Sequence, residues 1–166
     1  MSGAKRVATA GLVTAAALIL SYLESLIPFD FGVPGIKLGL ANAAVLVALV
    51  LLSPKYAAAV SVVRVLINGL LFTGVSAMLY ALSGAVFALG TMLLLRKSRR
   101  LGLVGVSVGG AVAHIVGQLC CAMLVLKSGA VWFSSPLMFA AAAVTGTLNG
   151  VIAGLVCRGV RQGYHN

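Results

Sequence analysis

Arg64 and Asn68 stand four residues apart inside an otherwise apolar run, and His114 and Gln118 repeat that spacing in another. Residues four apart share one face of a helix. Asn42 and Asn149 have similarly apolar surroundings. Arg64 makes the strongest demand, because a cation in hydrocarbon needs a counter-charge or a route to water. The chain has two acids, Glu24 and Asp30, and both are expected in the first outer connection, which leaves no carboxylate in any span to neutralise Arg64. Two readings stand. The guanidinium caps backbone carbonyls or snorkels towards an interface near Lys55, or it faces something anionic.

The other polar residues have simpler roles on sequence grounds. His114 with Gln118 fits an interhelical hydrogen-bonding pair better than a ligand pair, since a lone histidine is a poor metal site. Asn149 follows Gly146-Thr147 and precedes Gly150, a surface of small residues that suits close helix packing, with the amide as polar glue. Cys120, Cys121 and Cys157 lie in apolar segments and read as small packing residues, because adjacent cysteines rarely bridge or supply a metal site. No metal and no cofactor is expected. Phosphate-binding Gly-x-x-x-x-Gly-Lys-Ser/Thr loops, carboxylate pairs for acid and base work and Asp-rich clusters for magnesium are all missing from the sequence, so hydrolytic or ATP-driven chemistry within the chain is not expected.

What must position these residues is a membrane bundle. Hydrophobic residues make up 61% of the chain and charged residues 8%, with a mean hydropathy of +1.15; a water-soluble domain cannot cover its surface with so few charges. The fold class expected is all-α, a polytopic integral membrane protein forming one domain over residues 1–166. Six segments are long and apolar enough to serve as transmembrane helices: Val7–Leu23, Leu38–Leu52, Tyr56–Thr73, Ala77–Leu95, Leu103–Leu126 and Leu137–Cys157. Pro28, Pro34 and Gly35 break the first connection, Ser53-Pro54 the second and Ser134-Ser135-Pro136 the fifth. Only Gly74-Val75-Ser76 separates the third and fourth segments, which therefore form a tight hairpin. Lys5 and Arg6 before an apolar stretch resemble the start of a signal peptide, but no cleavage site precedes Glu24, and the stretch reads as a first helix.

The net charge of +10 would suggest nucleic acid on a soluble fold. Here the basic residues sit at the ends of apolar runs and set topology instead. With the N-terminus inside, the cytoplasmic segments hold Lys5, Arg6, Lys55, Arg96, Lys97, Arg99, Arg100, Arg158 and Arg161, against Lys37 and Lys127 outside. That bias puts both termini in the cytoplasm of a bacterial inner-membrane protein. Along the first helix Ala4, Ala8, Gly11 and Ala15 form a small-residue stripe on nearly one face, which admits close approach of another helix from this chain or another protein.

The stretch Pro34-Gly35-Ile36-Lys37-Leu38-Gly39-Leu40-Ala41-Asn42 resembles the signature of the Gx transporter family, also labelled heptaprenyl diphosphate synthase component I. Arg64-Val65-Leu66, Leu82-Ser83-Gly84-Ala85, His114 with Gly117-Gln118, and Gly146-Thr147-Leu148-Asn149-Gly150 agree in order and spacing, so the resemblance spans almost the whole chain. At Ile115 the chain departs from it, where the family frequently has a second polar residue. The family is in turn similar to the substrate-binding S components of energy-coupling-factor importers. That likeness implies a six-helix fold, an outward-opening small-molecule site, and a membrane coupling subunit with ATPases as partner. It implies a substrate site of Lys37, Asn42, Arg64, Asn68, His114, Gln118 and Asn149 under a closing Pro28–Lys37 loop, with Ala4, Ala8, Gly11 and Ala15 as docking stripe. The label of a prenyl synthase subunit fits less well, since such enzymes hold magnesium through Asp-rich motifs, and leaves the role of a noncatalytic partner. An accessory role for flavin or quinone electron transfer is the third possibility the family implies.

Overall fold

A computed structural model describes residues 2–26, 37, 39–98 and 101–162. Among them the chain is all helical: α1 (Gly3–Leu26), α2 (Asn42–Leu51), α3 (Pro54–Asn68), a π-helical turn (Gly69–Thr73), α4 (Gly74–Leu95), α5 (Leu103–Leu126), a 3-10 segment (Gly129–Ser134) and α6 (Ser135–Gln162). Four stretches are long and apolar enough to cross a membrane: Gly3–Leu26, Pro54–Leu95, Leu103–Leu126 and Gly129–Gln162. The expectation of six spans is thus met at full length only in part. α2 has 10 residues, short of the roughly 20 a bilayer core needs, and the third and fourth segments run on as one helical stretch of 42 residues.

That stretch is not a straight rod. Gly74 adopts φ 82°, a left-handed conformation that only glycine takes without steric cost. Beyond it the chain turns back, so that a Cβ at Gly69 would collide with Met78. Ala58, Ser61 and Val62 of α3 and Val86, Leu89 and Leu93 of α4 accordingly line one shallow groove, as the two arms of a hairpin do.

α2 is the centre of the molecule. Its residues Asn42 to Leu49 are all buried, and it packs on α1, α3, α5 and α6. A helix apolar all round belongs inside, and here its neighbours supply the cover that its length cannot obtain from lipid. It begins at Asn42, not at the expected Leu38, because Gly39 lies at φ 83° and its backbone groups hydrogen-bond outside the helix. α5 is clamped on both sides through glycines. Gly117 lies so close to the Ser83–Gly84 backbone of α4 that a Cβ there would come within 2.8 Å of the Ser83 carbonyl, and Gly146 and Gly150 of α6 meet the backbone of Val108 and Val104 in the same way. Close backbone approach of this kind is how helices gain packing energy where lipid removes the hydrophobic drive.

α1 extends past the expected Leu23 to Leu26. Its buried residues are Ala17, Ser21 and Glu24, a single stripe at helical spacing, and the rest of the helix is largely exposed. Arg96, just past the end of α4, donates from Nη1 to the Leu49 carbonyl at 2.9 Å, which ties the C-terminal ends of α2 and α4 together at the end of the bundle where Pro54 and Lys55 begin α3.

Candidate functional site

The far end of the bundle holds a buried polar cluster assembled from five helices. α1 contributes Ser21 and Glu24, α2 Asn42, α3 Arg64 and Asn68, α5 His114 and Gln118, and α6 Asn149, all of them buried. Arg64 is 5% exposed and points inward. A side chain buried to this degree does not snorkel to an interface.

The expectation that Arg64 lacks any carboxylate from its own chain is overturned. Glu24 does not lie in the outer connection; the extra turn of α1 carries it into the bundle, where it is 6% exposed and its carboxylate faces the charges of Arg64 and Lys37. Asp30 lies outside the described residues. A sequence signal for Glu24 did exist, since Ala17, Ser21 and Glu24 continue a single helical face. Among the described residues no carboxylate oxygen comes within ion-pair distance of a cation, so Glu24 compensates Arg64 across a gap and not by contact. The residue that Glu24 does contact is Gly39, whose N–H donates to Oε1 at 2.6 Å.

The candidate residues fall into two groups by how fully their hydrogen-bonding groups are occupied. Gln118 Oε1 accepts from the Lys37 N–H at 2.9 Å while its Nε2 donates to the Lys37 carbonyl at 2.8 Å. This reciprocal pair grips the backbone of one residue from both sides, as a neighbouring strand would. Asn149 Nδ2 donates to the Gly39 carbonyl at 3.0 Å. Together with Glu24, these amides fix Lys37 and Gly39 to α1, α5 and α6. The spacing that groups His114 with Gln118 correctly predicts a shared face, but the partner of Gln118 is loop backbone and not another helix.

The second group is under-satisfied. Arg64 donates from Nη2 to Asn42 Oδ1 at 3.3 Å and from Nη1 to Ser21 Oγ at 3.4 Å, both longer than the 2.7–2.9 Å of a good charge-assisted bond. Its Nε, together with Lys37 Nζ, Asn42 Nδ2, Asn68 Oδ1 and His114 Nδ1, is buried without a hydrogen-bond partner. Buried polar atoms are nearly always paired, and these five unpaired atoms all lie on residues of the one cluster. His114 lies against Gly84, and Gly39 approaches both His114 and Asn42, whose Nδ2 would sit 2.7 Å from any Cβ added at Gly39. Asn68, one turn beyond Arg64, ends α3 where the π-helical turn begins, a helical irregularity frequent at functional sites. Burial pushes the Lys37 ammonium below the ordinary lysine range, opposed by the charge of Glu24.

The small-residue stripe of α1 lies apart from this cluster. Ala4, Ala8, Gly11 and Ala15 are exposed, and nothing lies within 4 Å of a Cβ built on Gly11. The Pro28–Lys37 loop, Lys37 excepted, lies outside the described residues. Among the described residues no group of three His, Cys, Asp or Glu side chains is placed to hold a metal ion.

The motifs that surround the cluster, from Lys37-to-Asn42 through Arg64 and His114 to Gly146–Gly150, fall within one continuous match to a known family. No curated protein and no solved structure matches the chain. The family described as heptaprenyl diphosphate synthase component I matches residues 13–156, every helix and every candidate substrate-site residue lies wholly or largely inside that range, and the chain belongs to that family.

Proposed function

We propose that this membrane protein is a binding and translocation subunit for a small anionic or polar organic molecule, energised by a separate complex and without enzyme activity of its own. The observation that carries the reading is the set of unpartnered polar atoms on Lys37, Asn42, Arg64, Asn68 and His114 inside the bundle. A purely structural polar core would satisfy these atoms internally. Ligand enters from outside, the Pro28–Lys37 loop closes over it, and a membrane coupling subunit carrying ATPases drives release to the cytoplasm, where both termini lie. The exposed Ala4, Ala8, Gly11 and Ala15 face of α1 supplies the docking surface for that subunit, through the close helix approach that small residues allow.

The family's description favours a second reading, a noncatalytic membrane partner of a polyprenyl diphosphate synthase; the sequence resemblance adds a partner of a flavin or quinone electron-transfer system. With Glu24 and Asp30 as its only acids, the chain has no Asp-rich pair to bind magnesium diphosphate, so any catalysis would reside in the partner. Purification of the complex from its native membrane in mild detergent separates the two readings. Recovery of ATPase subunits and of a small molecule detected by native mass spectrometry is expected. Recovery of a prenyl synthase subunit or a flavoprotein, with no ATPase, would overturn the transport reading.

A further inference from the structure

α1 packs on α2 and α3, and α6 on α2 and α5, so α1 and α6 stand on either side of α2 as the walls of a gap. The gap is a groove of about 250 Å³ lined wholly by apolar residues, among them Leu12 and Leu20 of α1, Ala43 and Val47 of α2, and Ile152 and Val156 of α6. Leu12, Ile152 and Val156 are exposed, whereas Ala43 and Val47 are buried and form the floor. The groove therefore opens sideways, towards lipid.

Its course ties it to the polar cluster. Leu20 directly precedes Ser21, Ala43 directly follows Asn42, and Ile152 lies one turn past Asn149. From those points each wall runs away from the cluster, to Leu12, Val47 and Val156. Ser21 and Asn42 are the residues to which Arg64 donates, and Arg64 Nε and Asn42 Nδ2 are donors without acceptors. The width of the groove restricts what fills it. Leu12 to Leu20 spans about 12 Å of helix, and the volume spread over that length leaves a cross-section of about 20 Å². A helix about 10 Å across needs about four times as much, whereas one extended hydrocarbon chain fits.

We propose that this groove holds the hydrocarbon chain of a single-chain amphiphile whose polar group lies at the Asn42 and Arg64 end of the cluster. The inference rests on the reading of the cluster as a ligand site and deepens it by naming the ligand class, a lipid-like molecule that reaches the cluster with its tail still in the membrane. The chain by itself gains little, because the lipid it leaves is as apolar as the groove. Selection comes from the polar group, which meets the unpartnered donors, and the groove gives the attached tail a place to lie.

The test is photolabelling of the full chain in phosphatidylcholine nanodiscs with dodecanoate carrying a diazirine at mid-chain, the labelled residues being mapped by mass spectrometry. Label is expected on Leu12–Leu20, Ala43–Val47 and Ile152–Val156. An excess of unlabelled dodecanoate should remove most of it while leaving label on the exposed Leu70 and Leu71 unchanged. Dodecane, with the same chain and no polar group, should not compete. Ala16→Phe, which fills the groove from an exposed position on α1, should lower the competed label about tenfold, the loss that about 1.4 kcal/mol produces, while eluting as the same monodisperse species. Ile19→Phe, at an exposed position of the same helix outside the groove, should keep the label. A groove that takes no label, label that unlabelled dodecanoate does not reduce, dodecane competing as well as dodecanoate, or an Ala16→Phe protein labelled like the wild type would each overturn the proposal. Competed label in the groove together with a co-purified prenyl synthase would sustain this inference and overturn the transport reading. Recovery of an ATPase complex with a bound molecule that lacks a hydrocarbon chain would do the reverse.

Discussion

Replacing Arg64 by Met tests whether the intramembrane charges form one energetic unit. The substitution keeps most of the apolar stem, removes the hydrogen bonds to Ser21 and Asn42, and leaves the carboxylate of Glu24 facing Lys37 alone. Breaking a buried charge pair by deleting one partner costs about 3–5 kcal/mol. Here the lower figure applies, because Glu24 keeps the Gly39 N–H at 2.6 Å and the hydrogen bonds lost from Arg64 are long. A loss of about 3 kcal/mol is expected in reversible unfolding from mixed micelles by SDS. Glu24→Gln alone leaves two cations facing each other and also destabilises. The double variant Glu24→Gln/Arg64→Met removes both charges, so the two losses should fall short of adding by about 1–3 kcal/mol, the range for residues in one network. Additivity within about 0.5 kcal/mol would mean that the two charges do not sense each other, and the account of Arg64 as compensated from within the chain would fail.

Gln118→Leu should release the Lys37 backbone, which the amide holds from both sides; a loss of about 1–3 kcal/mol and faster hydrogen exchange at the Lys37 and Gly39 amides are expected, and unchanged exchange would remove the clamp. Gly39→Ala places a Cβ at φ 83° and 2.7 Å from Asn42 Nδ2, so it should cost at least about 1–2 kcal/mol from backbone strain and disturb the Asn42–Arg64 bond. Stability equal to wild type, read in the same SDS titration, would contradict that geometry. On the proposed binding mode, anion affinity requires protonated Lys37. It should be full below the lowered pKa of that ammonium and fade as pH rises through it, beginning below the ordinary lysine value of 10.5; an affinity for the retained small molecule that stays flat up to that pH would exclude Lys37 as a ligand group.

How far the sequence speaks depends on what each residue must touch. The apolar runs betray the helices, because lipid imposes the same composition wherever the chain meets it. The direction of Arg64 is not legible in the same way, because snorkelling and an inward role satisfy that rule equally; its burial decides between them. Glu24 escapes because hydropathy ends a span at the first charge, whereas α1 continues through it to bury the carboxylate against Gly39. α2 escapes for the opposite reason. Its composition is that of a membrane span, yet ten residues suffice when neighbouring helices, and not lipid, surround it. The bond between Gln118 and Lys37 links residues 81 apart in sequence through backbone atoms, which no side-chain pattern encodes.

The division of the polar cluster into held and open groups has a consequence for how loop and ligand communicate. Gln118, Asn149 and Glu24 hold Lys37 and Gly39 by their backbones, and the same Lys37 presents an unpartnered ammonium to the cluster. On the proposed reading a bound anion would contact the segment that α1, α5 and α6 hold in place, so it would favour the anchored arrangement by the free energy of that one contact. A ligand shifts a two-state equilibrium only by its differential affinity for the two states. Lys37 is the residue that provides such a difference, because Arg64 is fixed to α3 and meets the ligand in either arrangement. Removing the Lys37 ammonium should therefore uncouple the Lys37–Gly39 segment from the ligand as well as weaken binding, whereas removing Arg64 should weaken binding and lower stability without that uncoupling.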